Sequence, residues 1–326
     1  MESAARIVHT SRTFAAKARL PFTLLTAVLL ATAIGGMAPA VAATAYPVQA
    51  AYTPAGPYAT TTGTVTGSAG TVIYDLYYPS DYAALGFKSP IITWGNGTNG
   101  TPSMYSTLLS HFASYGFTVI ASTLANTGSG REIDAAAHYL VTQNGTPGSV
   151  FAGNLDVHHV AAVGHSQGAG GATRAAINDP GLITTLMTFS LPNTIWVGAN
   201  PDCPTRADCL YNTAALTQPT FFISTHGFLD SIIASPATET AFYDSISSHA
   251  ALGIIQNSDG LPADHNSIQD TAYGGNPGGE LGYATAWLEY QLRGSTFAAS
   301  AFTGTHPELT TNTNWPGSAT PVADDQ

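Results

Sequence analysis

Between Thr71 and Arg293 the chain alternates between two hydrophobic patterns. TVIYDLYYP (71–79) and PIITW (90–94) are β-branched and aromatic runs bounded by glycine and proline, which predicts strands. MYSTLLSHFASYG (104–116) sets Met104, Leu108, Leu109, Phe112 and Tyr115 on one helical face, and Gly116 supplies a stop. FTVIAST (117–123) predicts a strand, REIDAAAHYLVTQ (131–143) a helix and HVAAVG (159–164) a strand. LITTLMTFS (182–190), PTFFIST (219–225) and AALGIIQ (250–256) are further strand candidates, and ETAFYDSISSH (239–249) and ELGYATAWLEYQL (280–292) further helices. Strands separated by helices of this length predict an α/β fold, a mostly parallel central sheet with helices on both faces. One domain over residues 71–302 follows, with the Ala/Thr/Pro/Gly-rich residues 44–70 as an extended lead-in and the Thr/Asn/Pro-rich residues 303–326 as a flexible tail. No internal repeat is visible.

The first forty residues follow another order. Arg6, Arg12, Lys17 and Arg19 precede the apolar run Phe22–Ile34 and then the small residues Ala40-Val41-Ala42-Ala43. Basic, apolar and Ala-x-Ala segments in this sequence predict a secretory signal over residues 1–43, the apolar run being short for a bilayer span. The expected destination is extracellular or periplasmic. Beyond residue 43, five basic residues (Lys88, Arg131, Arg174, Arg206, Arg293) stand against nineteen acidic ones. Such a surface repels nucleic acid and anionic lipid, so neither is an expected partner, and a monomer without stable membrane insertion is the default expectation. The cysteines of the chain, Cys203 and Cys209, lie in NPDCPTRADC and predict a small local disulfide in an exported protein. Two thiols without a neighbouring histidine make half a tetrahedral shell, so no metal is expected there.

VAAVGHSQGAGGATRAA (160–176) carries the chemistry. In a chain with 33 glycines a Gly-x-Ser-x-Gly pentapeptide means little by itself, and its context decides. Here a buried-type strand runs in and a helix opening on Gly168-Ala-Gly-Gly-Ala172 runs out, the setting of a nucleophile elbow in the α/β-hydrolase fold. Ser166 is the candidate nucleophile. The amide of Gln167, at the helix N-terminus, is a candidate oxyanion donor. Serine needs a base held by a third group, and in this fold the chain order is Ser, Asp or Glu, then His. Asp230, in the loop after PTFFIST, is the candidate acid, with Asp244 and Asp259 set aside as solvated residues. His265, after the strand ending Ile254-Ile255, is the candidate base. His249 lies at a helix end, His306 in the tail, and His226 close enough to Asp230 to serve as a control. His165, inside the elbow, is assigned to packing. The loop Gly95-Asn-Gly-Thr-Asn-Gly100 follows an early strand, and its glycines let an amide turn toward the serine. The amide of Asn96 is assigned as second donor, with the register open by one residue.

In these pieces, namely the Gly-rich loop before MYSTLLSHFASYGFTVIAS, the elbow AAVGHSQGAGGATRAA, LDSIIA around Asp230, and His265, the chain resembles the secreted cutinase and polyester-hydrolase (PET hydrolase-like) group of α/β-hydrolases. The resemblance covers roughly Thr71 to Arg293. It implies a cofactor-free serine esterase in which Ser166, His265 and Asp230 form the triad and Gln167 and Asn96 the oxyanion hole. The implied substrates are short-to-medium acyl esters or polyesters such as cutin or PET. Departures accompany it: Gln167 where the group commonly has Met, and Asn96 where polyester-active members carry an aromatic. Asn193 stands near the group's pocket Trp, with Trp196 three residues on; both are candidate substrate-binding residues. The Cys203–Cys209 segment reads as an insertion beside the pocket. Peptidase or acyltransferase chemistry on the same triad, or a silent binding scaffold, are the alternatives.

Overall fold

The computed structural model describes residues 6–9, 44–198 and 200–320. The strands are β1 (Arg6–His9), β2 (Thr60–Thr66), β3 (Val72–Pro79), β4 (Ser89–Gly95), β5 (Thr118–Ser122), β6 (Leu155–His165), β7 (Thr185–Phe189), β8 (Thr220–Thr225) and β9 (Ala250–Ile255). They form one sheet in the order β1-β2-β3-β5-β4-β6-β7-β8-β9. From β5 to β9 every pairing is parallel, whereas β1, β2 and β3 join antiparallel at one edge. The leader assigned to residues 1–43 otherwise lies outside the described residues.

The helices are α1 (Pro47–Tyr52), α2 (Ser106–Ser114), α3 (Arg131–Asn144), α4 (Gln167–Asn178), α5 (Phe228–Ile233), α6 (Pro236–Ser245), α7 (Gly278–Arg293), α8 (Thr296–Ala299) and α9 (Glu308–Thr311). They cover both faces of the sheet, and strand periodicity explains how. Ile92, Val119, Val163, Met187 and Phe221 point into one core with Leu108 and Phe112 of α2 and Trp287 of α7. Their neighbours Ile91, Ile120, Ala162, Leu186 and Phe222 point into the other, with Ile133 of α3 and Ala172 of α4. Successive side chains leave a strand on opposite sides, so a strand buried on both faces is apolar throughout. Among the described residues no helix is long and apolar enough to cross a membrane.

Two assignments change. Residues 44–70 are no plain lead-in, since they form α1 and β2. The tail docks as far as residue 320: Leu309 and Trp315 are buried, and Ala319 exchanges backbone hydrogen bonds with Leu252 of β9 at 2.9 and 2.7 Å. This covers the last strand's otherwise open edge. The two regions also meet. Glu308 of α9 accepts from the amides of Val48 and Gln49 in the first turn of α1 at 2.8 and 2.9 Å, and from Tyr283 Oη of α7 at 3.0 Å. Helix-opening amides lack intrahelical partners, and a carboxylate satisfies two of them here.

Deleting residues 303–326 should therefore cost at least about 3 kcal/mol of stability, because full burial of a large apolar side chain contributes roughly 1.5–3 kcal/mol. A truly flexible tail would cost nothing in the same urea-unfolding measurement.

Candidate active site

The elbow forms where β6 turns into α4. Ser166 sits between them at φ 52°, ψ −123°. A non-glycine residue rarely takes positive φ, and such strain concentrates at functional sites. The glycines around it are required by crowding. A Cβ on Gly168 would lie 2.2 Å from the Gly95 carbonyl oxygen, and one on Gly164 2.3 Å from that of Gly168. Three backbones, from β4, β6 and α4, thus touch without side chains between them.

His265 Nε2 is 3.0 Å from Ser166 Oγ, and His265 Nδ1 is 2.7 Å from Asp230 Oδ1. Asp230 is fully buried in α5, and its Oδ2 accepts from Thr225 Oγ1 (2.7 Å), Ser190 Oγ (2.9 Å), the Thr225 amide (3.1 Å) and Ser224 Oγ (3.3 Å). An ionised carboxylate only accepts, so Nδ1 carries the imidazole proton and Nε2 turns a lone pair to the serine hydroxyl. Ser190 is a second strained serine, at φ 52° just after β7. Asp264 ties acid and base together: its Oδ1 accepts from the amides of His265 (2.8 Å), Leu229 (2.9 Å) and Asp230 (3.2 Å). His226, the control, is exposed and faces the Pro316 carbonyl at 3.4 Å, while His249 stacks on Trp287 with ring centroids 5.7 Å apart.

His165 does more than pack. Its Nε2 lies 2.8 Å from the carbonyl oxygen of His265, which can only accept, so Nε2 carries the proton. Its Nδ1 must then accept from Tyr105 Oη at 2.9 Å, and that oxygen accepts from the Gly97 amide at 3.1 Å. Full burial, then the neighbouring His265, hold the His165 pKa well below its ordinary value. One neutral imidazole thereby links the backbone of the candidate base to the glycine-rich loop.

A cavity of about 190 Å³ opens beside Ser166 and Gln167. Thr98 lines it, and Asn96 does not. Asn96 is fully buried: its Nδ2 donates to the Ser122 and Leu124 carbonyls at 2.6 and 3.1 Å, and its Oδ1 accepts from Trp94 Nε1 at 3.1 Å. Among the described residues neither the Thr98 nor the Gln167 amide donates a hydrogen bond. Trp196 lines the cavity, with its Nε1 donating to the Ile232 carbonyl at 2.9 Å. Asn193 does not line it. Its Oδ1 caps the following turn at the Ile195 amide (3.0 Å) and its Nδ2 reaches Thr238 Oγ1 (3.3 Å). Cys203 and Cys209 form a disulfide, and Cys209 lines the cavity. Of the donor groupings with coordinating reach among the described residues, one includes these bonded sulfurs, and the other, Asp134, His138 and Asp179, is held by a His138–Asp179 pair at 2.9 Å outside the cavity.

A strand order with six parallel neighbours, an elbow serine and a cleft at the strands' C-terminal ends define an α/β-hydrolase. The family described as PETase, PET hydrolase-like, matches residues 37–289, and the chain belongs to it. A 126-residue segment is 32% identical to Cutinase est2 of Thermobifida alba, covering 37% of this chain and 38% of that protein. The match thus spans well under half of that relative.

Two expectations follow from the buried groups. Tyr105→Phe strands the Gly97 N–H and His165 Nδ1 in the interior and should cost about 1–3 kcal/mol in urea unfolding. The second concerns Glu239, fully buried on α6, whose carboxyl burial and the nearby Asp230 push well above its ordinary value. Burial likewise raises Glu280 to about 7. The folded state then holds protons that the unfolded state releases above its ordinary carboxyl value of 4.5, so both groups lower stability as pH rises. His165 and His111, the latter lowered to about 4 by burial, oppose this up to pH 6.5 and no further. Unfolding free energies should decline as pH rises above 6.5, and Glu239→Gln should shrink that decline.

Proposed function

We propose that this chain is an exported serine hydrolase of carboxylic esters with short-to-medium acyl groups, acting through Ser166, His265 and Asp230. The observation that carries the reading is the Ser166–His265–Asp230 hydrogen-bond chain at 3.0 and 2.7 Å, on a strained serine beside two undonated amides. His265 Nε2 takes the Ser166 proton as Oγ attacks the ester carbonyl. The amides of Gln167 and Thr98 receive the developing oxyanion; Thr98 replaces Asn96 in this role because it, and not Asn96, lines the cavity. Collapse of the tetrahedral intermediate expels the alcohol, which leaves with the proton held by His265. Water, activated by the same imidazole, then cleaves the acyl-enzyme and restores Ser166 Oγ–H. Asp230 holds the Nδ1–H tautomer and balances the imidazolium charge, while Asp264 and His165 position the base. Family membership and the partial likeness to a protein named as a cutinase support an ester as substrate.

Export fits the predicted leader and the disulfide. Cleavage after Ala43 would remove β1 and leave β2 as the sheet edge, and N-terminal sequencing of the secreted chain should begin at Thr44.

Initial rates on p-nitrophenyl esters should fall by at least about 10⁴ in Ser166→Ala, the scale at which loss of a triad member acts. A fluorophosphonate should label wild-type Ser166 and leave the alanine variant unlabelled. Full esterase activity in Ser166→Ala would refute the assignment.

A further inference from the structure

The cavity beside Ser166, at about 190 Å³, is smaller than the roughly 300–1,000 Å³ that holds drug-sized ligands. Its orientation follows from the mechanism. The departing alcohol must stay within reach of His265 Nε2, about 2.6–3.2 Å, to receive its proton. His265 does not line the cavity, which runs from Ser166 past Gln167 to Cys209 and Tyr211. The carbonyl oxygen is directed to the Thr98 and Gln167 amides. What enters the cavity is therefore the acyl group, and the alcohol stays outside it, on the His265 side of Ser166.

The far wall is formed by residues 192–198 and 200–211, and a set of polar contacts holds it. Residues 44–320 hold four arginines, and three serve this segment. Arg131 Nη2 donates to the Asp202 carbonyl at 2.6 Å, and Arg206 donates to the carbonyls of Val197 and Thr194, both at 2.8 Å. Arg174 donates to the Leu210 carbonyl and, at 3.0 Å, to that of Ser129. The Asp202 carboxylate accepts from the Ser129 amide and Oγ at 2.6 and 2.9 Å, Tyr211 Oη donates to the Pro192 carbonyl, and the Cys203–Cys209 disulfide closes the loop. The wall leaves no slack against the body of the protein. A Cβ on Gly128 would lie 2.7 Å from Cys209 Sγ, and one on Gly170 2.8 Å from the Tyr211 ring.

Building on the serine-esterase reading above, we infer that the wall formed by residues 192–198 and 200–211, with the loop closed by Cys203–Cys209, is a fixed stop for the acyl group. The enzyme selects esters by acyl length, accepting short acyl groups and excluding long ones, and leaves the alcohol largely unselected. A close-packed wall cannot stretch to admit extra methylenes, each of which then costs binding in the transition state.

The test compares kcat/KM for p-nitrophenyl butyrate and octanoate in wild type, in the C203S/C209S double variant and in Tyr211→Ala. A fluorophosphonate titration of active serine is run on each. Wild type should prefer butyrate by about tenfold or more, and each variant should raise the octanoate-to-butyrate ratio by about tenfold, the scale on which pocket walls discriminate methylenes. Ethyl and benzyl butyrate should differ far less in wild type than butyrate and octanoate do. A wild type that cleaves octanoate as fast as butyrate overturns the inference. So does a ratio that stays fixed in the variants while Ser166 still titrates. Should either variant fail to fold, the other decides; should both fail, the ratio in wild type with and without a thiol reductant decides. Absence of fluorophosphonate labelling in wild type would instead defeat the esterase reading itself.

Discussion

Everything at the site depends on one close approach, where the backbones of β4, β6 and α4 meet at Gly95, Gly164 and Gly168. Van der Waals repulsion sets the condition: at 2.2–2.3 Å from a carbonyl oxygen no Cβ fits. Only with that contact made does α4 begin immediately after β6, which lifts Ser166 above the sheet and aims the helix-opening amides at the same space. The strain at Ser166 is tolerated because packing on both sides over-determines it. The glycines here are thus a steric requirement of the chemistry, distinct from the loop glycines that merely permit a turn.

Around that contact the protein organises the site with hydrogen bonds from neutral donors more than with ion pairs. Asp230 receives hydroxyls and an amide from the ends of β7 and β8, and among the described residues no lysine or arginine reaches it. His165 and Tyr105 carry the same logic through the core, where a buried neutral chain is stabilising only if every member is satisfied. A chain with few basic residues uses its arginines elsewhere, on backbone carbonyls of the cavity wall. The result is a centre whose geometry resists salt, since buried neutral bonds are screened little.

Much of this was legible in the sequence, for identifiable reasons. Continuous β-branched and aromatic runs alternating with amphipathic stretches revealed the parallel sheet, and small residues after Gly-x-Ser-x-Gly marked the elbow. Chain order pointed to Asp230 and His265, which the structure places in one hydrogen-bond chain with Ser166, although Asp230 lies in the short helix α5 and not in the loop read from the sequence. The register of Gly95–Gly100 was not readable, because a loop has no periodicity. In the fold the Asn96 side chain turns inward, onto Trp94 and the carbonyls of Ser122 and Leu124. Asn193 misled because a short amide serves a turn cap as readily as a ligand. The His165 link escaped notice since its partners lie 60 and 100 residues away. The docked tail was invisible for a related reason: Leu309 and Trp315 are isolated apolar residues in a polar stretch, with no pattern to announce burial.

The bond from Glu308 to the start of α1 also has a consequence for the order of folding. Val48 and its partner are 260 residues apart in sequence, and a six-residue helix has no stability of its own. α1 therefore stays unformed until the last part of the chain has been made and brought back across the sheet. Closing so large a loop is among the slowest steps available to a chain of this topology. The fold is in this sense completed from its two ends together, and a nascent chain held by its C-terminus remains open along the β9 edge that the tail will seal.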